Sequence, residues 1–484
     1  MRSNKFANIV QIIITSTVTF LSFRILLSSI TISNFGAVAM VLTLANLGRM
    51  LEVGIGTSLT KNTAEKNILD QKIYLSELIE SAMISTFLLL LTGSLFIFGF
   101  APNYLKWFVD PSQHADILKY LPYGLLSVGL SVISSLTAGV LDGLQLMVAR
   151  AKIAIVSNLL SLTLVYILIP RFGTIGYFVA QIVQWFFYLS ITFLLVRKYL
   201  PLIPLVPHKL RLPIIRPLYS YGSHIQYGNT TSLIIDIATK SLLSKYSSLA
   251  FVGLFDLAQR IILQFRNILV ATNQVIIPRL IELKIKNIYL IDAFFQPQVR
   301  NNLKHSLIFF TLLSIWSVPV SSSFLSALDM NFIIIYHLLL ATWTVNLCSL
   351  PYYFLNQALD YQSNNSKAFT LAFSLTLLFA FVFRAQGYLT TCLSLLIGQM
   401  SYSLYLMFIN KLKGNNRFVF GLIRAMLKTY TLPSLVLCFI SLYTSTSSFY
   451  QTNLLLCIFI SCIFSIAYLM YIYSLEKKFI SLAL

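Results

Sequence analysis

The stretch Ser16–Thr31, STVTFLSFRILLSSIT, reads as half of a membrane-spanning helix with a guanidinium, Arg24, set in the middle of it. Crossing the hydrocarbon core takes about 20 predominantly apolar residues. The run from Phe6 to Ile30 meets that length with Arg24 as its single charge. A secretory leader has a shorter apolar region and no second hydrophobic segment directly behind it, so the run is expected to be a retained first span.

The rest of the chain has the same character. Of 484 residues, 57% are hydrophobic and 10% charged, and the mean hydropathy is +0.80. A soluble domain carries roughly 25% charged residues, so a soluble fold is excluded and an all-α polytopic membrane protein is expected. Windows of spanning length predict fourteen transmembrane helices: 6–30, 35–58, 77–100, 119–142, 151–169, 173–196, 221–245, 250–277, 305–328, 331–358, 367–383, 387–410, 428–446 and 451–474. All five cysteines lie in apolar runs, with neither a CxxC pair nor metal-ligand spacing among them. They read as core filler, and neither a metal nor a cofactor is expected.

The surplus of basic residues, 35 Lys and Arg against 15 Asp and Glu, suggests nucleic acid until the positions are read. With an even number of spans the connections fall into two alternating sets. One set holds 25 of the 35 basic residues, the other only Lys106, Lys119, Arg171, Lys245 and Arg384. The positive-inside rule then places both termini in the cytoplasm, and topology absorbs the charge, so no nucleic-acid partner is expected.

The connection after helix 6 is basic and carries Pro201, Pro204, Pro207, Pro213 and Pro217, which divides the chain. The expected organisation is an N-terminal lobe of helices 1–6 (1–198) and a cytoplasmic linker (199–220). A C-terminal lobe of helices 7–12 (221–410) follows, then a basic loop with helices 13 and 14 (411–484). A 6+6 repeat is suggested by Arg24, Phe35-Gly36 and Arg49 in one half against Lys240, Val252-Gly253 and Arg266 in the other. In both halves glycine and arginine are thirteen residues apart. Parallel repeats would place these cations on corresponding surfaces facing a cleft.

Five basic residues, Arg24, Arg49, Lys240, Arg260 and Arg266, fall inside predicted spans. A charge at mid-membrane costs roughly 2.5–3.5 kcal/mol, so each needs a partner or a wet cavity. Three have an acid at helical spacing: Arg49 with Glu52, Lys240 with Asp236, and Arg260 with Asp256. These acids read either as counter-charges or as participants in ion coupling. Arg24 and Arg266 have no such neighbour; Arg24 can snorkel to the nearer interface, or both can line a wet cavity. Ser22, Ser28 and Ser29 fit a wet face around Arg24. Uncompensated arginines imply an anionic ligand, and the guanidinium fork matches phosphate oxygens.

Several stretches resemble the O-antigen and capsule lipid-oligosaccharide flippases. These form the polysaccharide transporter branch of the exporter superfamily that also holds drug/cation antiporters and the lipid II flippase. The resemblance runs through Arg24 and Phe35-Gly36, LEVGIGTSLTKNTAEK (51–66), AGVLDGLQ (138–145), YGSHIQYGNTTSLI (221–234) and SLAFVGLFDLAQRIILQF (248–265), ending with IIPRL at Pro278. It implies two six-helix bundles opening alternately to either face, with helices 13 and 14 peripheral. It also implies a substrate of sugars on a polyprenyl pyrophosphate and cavity cations on helices 1, 2, 7 and 8, matching Arg24, Arg49, Lys240, Arg260 and Arg266. The bacterial inner membrane, its lipids, and a polysaccharide polymerase with its chain-length regulator are the implied surroundings. Two other readings remain at this point. One is a membrane polymerase or lipid-linked glycosyltransferase, which usually needs catalytic acids or a long outer loop. The other is a drug or cation exporter, which would favour a cavity of carboxylates.

Overall fold

A computed structural model of the chain describes residues 2–52, 54–68, 71–274, 276–286, 290–325, 329–384, 387–410 and 458–470. Among them the secondary structure is helical throughout, in two compact units, Met1–Gly253 and Leu254–Leu484. The chain is a multi-pass membrane protein. Among the described residues eight helices are long and apolar enough to cross a membrane, or up to ten if each bent pair is one span. Fourteen spans were expected. The predicted thirteenth, 428–446, and the basic loop before it lie outside the described residues.

The segment α6, Met147–Tyr199, accounts for part of the difference, because it is helical on both sides of a break at Gly173 (φ 54, ψ −130). The chain reverses there: the backbone of Gly176 packs on the carbonyl of Leu168, and Gln184 Nε2 donates to Asn158 Oδ1 at 2.8 Å. Both pairs centre on the same turn, so α6 is two antiparallel arms. Glycine meets the left-handed φ without penalty. Asn158 Nδ2 donates onward to Thr15 Oγ1 of α1 (Arg2–Ser29) at 2.9 Å, which ties a third apolar segment to the hairpin.

Within the first unit, α2 (Ile32–Asn46) starts on Thr31, whose side chain accepts from the Asn34 N–H. It continues as a 3₁₀ turn, Leu47–Glu52, and bends by 44° into α3 (Ile55–Ile68). The bend follows from Gly54, which takes φ 66. Two long helices follow, α4 (Lys72–Phe108) and α5 (Pro111–Gly143). Gly139 of α5 lies on the Gly56 carbonyl of α3, the close approach that small residues allow.

The non-helical part of the proline-rich linker is shorter than expected, 200–211, and α7 runs Leu212–Tyr246. Pro213 sits in the first turn, where its missing N–H has no intrahelical acceptor to lose. The linker is held on the start of α4. Glu80, buried, accepts the backbone N–H groups of His208 at 2.6 Å and Lys209 at 2.8 Å. Ser81 Oγ donates to the Lys209 carbonyl and accepts from the Arg211 N–H. Arg211 pairs with Glu77 at 2.7 Å.

The second unit continues α8 (Leu249–Gln274) through α9 (Ile276–Lys286), α10 (Leu290–Ile315) and α11 (Ser317–Leu325), the last two bent by 48°. Then come α12 (Met330–Cys348), α13 (Leu350–Ala358), α14 (Gln362–Val382) and α15 (Tyr388–Ile409). Phe332 and Tyr336, in the first two turns of α12, are fully buried. The helix Ile458–Met470, here α16, is fastened to α10 and its junction with α11. Ser461 Oγ donates to the Ile315 carbonyl, Thr311 Oγ1 to Tyr468 Oη, and Trp316 Nε1 to Ser465 Oγ.

Candidate functional site

The five cations inside the spans are held in three different ways. Lys240 and Arg260 are neutralised on their own helices. Lys240, buried, places Nζ 2.9 Å from Asp236 Oδ2, one turn back on α7. Beside it Tyr104 of α4 hydrogen-bonds Ser241. Arg260 Nε bonds Asp256 Oδ2 one turn back on α8, and Asp256 is buried. In both cases residues four apart on an α-helix share one face, so the pair forms without help from the rest of the fold.

Arg49 and Glu52 lie on the 3₁₀ turn, and each reaches α5. Arg49 Nη2 donates to Ser131 Oγ at 3.0 Å, and Glu52 Oε1 accepts from Ser135 Oγ at 2.7 Å. The two serines are themselves one turn apart. The acid and the base are thus set side by side along a helix more than 80 residues away, a tertiary arrangement that their own spacing does not show.

Arg24 and Arg266 meet no carboxylate among the described residues. Arg24 is exposed, on a stripe of α1 formed by Ile13, Thr17, Leu21, Arg24 and Ser28. Two of its serine neighbours, Ser28 and Ser29, are exposed with it. Ser22 is buried, and Ser28 and Ser29 both donate to the Ile25 carbonyl, so their hydroxyls are satisfied by their own helix.

Arg266 is half-buried on α8. Its Nε and Nη2 both donate to Asn346 Oδ1, at 3.2 and 2.7 Å, and Asn346 Nδ2 donates to Gln399 Oε1 at 3.0 Å. The Trp343 ring, one turn before Asn346 on α12, faces the guanidinium with its centroid 4.9 Å from Cζ. Trp343, Asn346 and Gln399 were not singled out from sequence. Buried amides inside the apolar spans 331–358 and 387–410 were the available signal, since such groups need partners in a low dielectric.

A family model described as polysaccharide biosynthesis protein matches residues 1–284, more than half of the chain. The chain belongs to the polysaccharide biosynthesis protein family. No curated protein matches it significantly. This family member has the fold of several solved transporters. The lipid II flippase MurJ, in an inward closed conformation, aligns with TM-score 0.70 and 14% identity over 99% of this chain and 100% of that one. An inward-facing multidrug resistance MATE transporter of the MOP superfamily aligns with TM-score 0.61 and 14% identity over 87% and 99%. A MOP superfamily transporter from Pyrococcus furiosus, reported to have a binding pocket of reversed polarity, aligns with TM-score 0.57 and 14% identity over 87% and 95%. At such identity the likeness carries the fold, and the fold is that of the superfamily the sequence resembles.

Proposed function

We propose that this protein is a flippase that moves a polyprenyl-pyrophosphate-linked oligosaccharide, an O-antigen or capsule repeat unit, from the cytoplasmic to the outer leaflet of the bacterial inner membrane. The observation that carries the reading is Arg266, a cation in a membrane fold whose described partners are an amide and an indole. A charge kept uncompensated inside an apolar span is worth its cost when an anion arrives to meet it. A pyrophosphate supplies that anion, and the arginine fork fits its oxygens.

Arg24 joins Arg266 as a cavity cation for the pyrophosphate, and Arg49, Lys240 and Arg260 are further cavity cations whose charge Glu52, Asp236 and Asp256 offset until substrate arrives. The acids act as counter-charges here, and a role in ion coupling is the alternative use of them. Two six-helix bundles, helices 1–6 and 7–12, open alternately to either face while the lipid tail stays in the bilayer. Both termini lie in the cytoplasm. No bond is made or broken, so the protein is not an enzyme and uses no cofactor. A polysaccharide polymerase and a chain-length regulator are the partners that would receive the product.

The test is export in cells lacking the native gene. Arg24→Ala and Arg266→Ala are each expressed at wild-type level and surface polysaccharide is measured. Loss of polysaccharide in both, with lipid-linked repeat units accumulating in the inner leaflet, is expected. Full export in both variants would sink the reading.

A further inference from the structure

We propose that Asn346 and Gln399 are positioning residues that orient the Arg266 guanidinium toward a pyrophosphate while leaving its charge intact. This rests on the flippase reading and goes further, because it assigns roles to two residues outside the set of cations.

The orientation of the chain of amides is fixed by chemistry. Arginine has donors and no acceptor, so the side of the Asn346 amide that faces it must be the oxygen. Nε and Nη2 converge on that oxygen. The amide nitrogen then points the other way and needs an acceptor, which Gln399 Oε1 supplies at 3.0 Å. Asn346 and Gln399 are 7% and 6% exposed, so water does not compete for either amide. Without Gln399 the Asn346 amide is free to turn and present a donor to a donor. Gln399 therefore acts on Arg266 through Asn346, across α15, α12 and α8.

The electrostatics separate this site from its neighbours. Lys240 and Arg260 each meet a carboxylate. At Arg266 the acceptor is an amide brought by another helix, although aspartate is nearly isosteric with asparagine and would accept the same two guanidinium N–H groups. A neutral acceptor orients the fork without reducing its charge. The Trp343 face adds a second neutral contact at 4.9 Å, favourable to the cation through the ring quadrupole. Arg266 is half-buried, not sealed, and its Nη1 makes no hydrogen bond among the described residues. The free side of the fork is the one available to an incoming anion.

The experiment uses the full chain in lipid nanodiscs and a short-chain polyprenyl pyrophosphate as probe, with affinity read by calorimetry and folding by thermal unfolding. Wild type binds; Arg266→Gln weakens binding at least tenfold. Asn346→Asp keeps the shape and the acceptor that faces Arg266, adds the missing carboxylate, and exchanges the donor to Gln399 for an acceptor that the Gln399 amide meets by turning its NH2 inward. It is expected to keep or raise Tm while weakening binding at least tenfold, a split that a purely structural role does not produce. Gln399→Met removes the acceptor without touching Arg266 and is expected to weaken binding severalfold. If Arg266→Gln loses binding but Asn346→Asp binds like wild type, the positioning role is overturned and the flippase reading stands. If Asn346→Asp instead lowers Tm, Gln399→Met decides, and wild-type affinity there overturns the proposal. If Arg266→Gln binds like wild type, the arginine reading itself falls and this inference with it.

Discussion

Gly36 and Gly253 meet backbone to backbone at the starts of α2 and α8. A methyl built on Gly253 would lie 2.6 Å from the Ile32 carbonyl oxygen, and one built on Gly36 would collide with the Leu249 carbonyl. These are the glycines that occupy matching positions in the two halves of the sequence. The obstructing atoms are backbone, which cannot swing aside as a flexible side chain can. Gly36→Ala is expected to destabilise the protein by about 3 kcal/mol, the upper range for overpacking. Gly253→Ala should cost about 2 kcal/mol on the same scale. Thermal unfolding in detergent checks both, and a wild-type Tm for Gly36→Ala would contradict the close approach.

The Arg260–Asp256 pair predicts a sign reversal between single and double variants. Removing one member of a buried ion pair strands the other charge, which costs about 3–5 kcal/mol, whereas apolar replacement of both is near neutral. Asp256→Asn should therefore lower the amount of folded protein sharply, and the apolar double replacement Asp256→Leu with Arg260→Met should recover it. Fluorescence-detected size-exclusion of the tagged protein reports the outcome. Failure of the double variant to recover would show that Arg260 has a duty beyond pairing.

Glu80 predicts a local effect. Its carboxylate accepts two backbone N–H groups of the linker, and hydrogen bonds to a charged group are worth about 1.5–3 kcal/mol. Glu80→Ala should free residues 200–211, raising the rate of protease cleavage there by an order of magnitude or more. Unchanged cleavage would mean that Ser81 and the Arg211–Glu77 pair hold the linker by themselves.

Trp343 predicts a distinction between ring and indole N–H. Its Nε1 is buried and makes no hydrogen bond among the described residues, while its face covers Arg266. Trp343→Phe keeps a face and should leave export near wild type. Trp343→Ala removes about 0.5–2 kcal/mol of cation–π attraction and should reduce export severalfold at matched expression.

Apolar windows, proline clusters and charge asymmetry determined the membrane class, the helical fold and most helix positions, because in a bilayer each backbone polar group is satisfied within its own helix. The reversal at Gly173 was legible as two adjoining windows, 151–169 and 173–196. The same local logic exposed Asp236 with Lys240 and Asp256 with Arg260, since four residues along a helix bring side chains to one face. Arg49 with Ser131, Glu52 with Ser135, and Arg266 with Asn346 and Gln399 were decided by packing alone. Their partners lie about 50 to more than 80 residues away, and helical periodicity says which face a residue occupies but not which helix comes to lie against it. Arg24 shows the difference most plainly. Sequence placed a cation in an apolar span with serines around it, and the fold buried Ser22, bonded Ser28 and Ser29 to the Ile25 carbonyl of their own helix, and left the guanidinium exposed with no carboxylate beside it among the described residues.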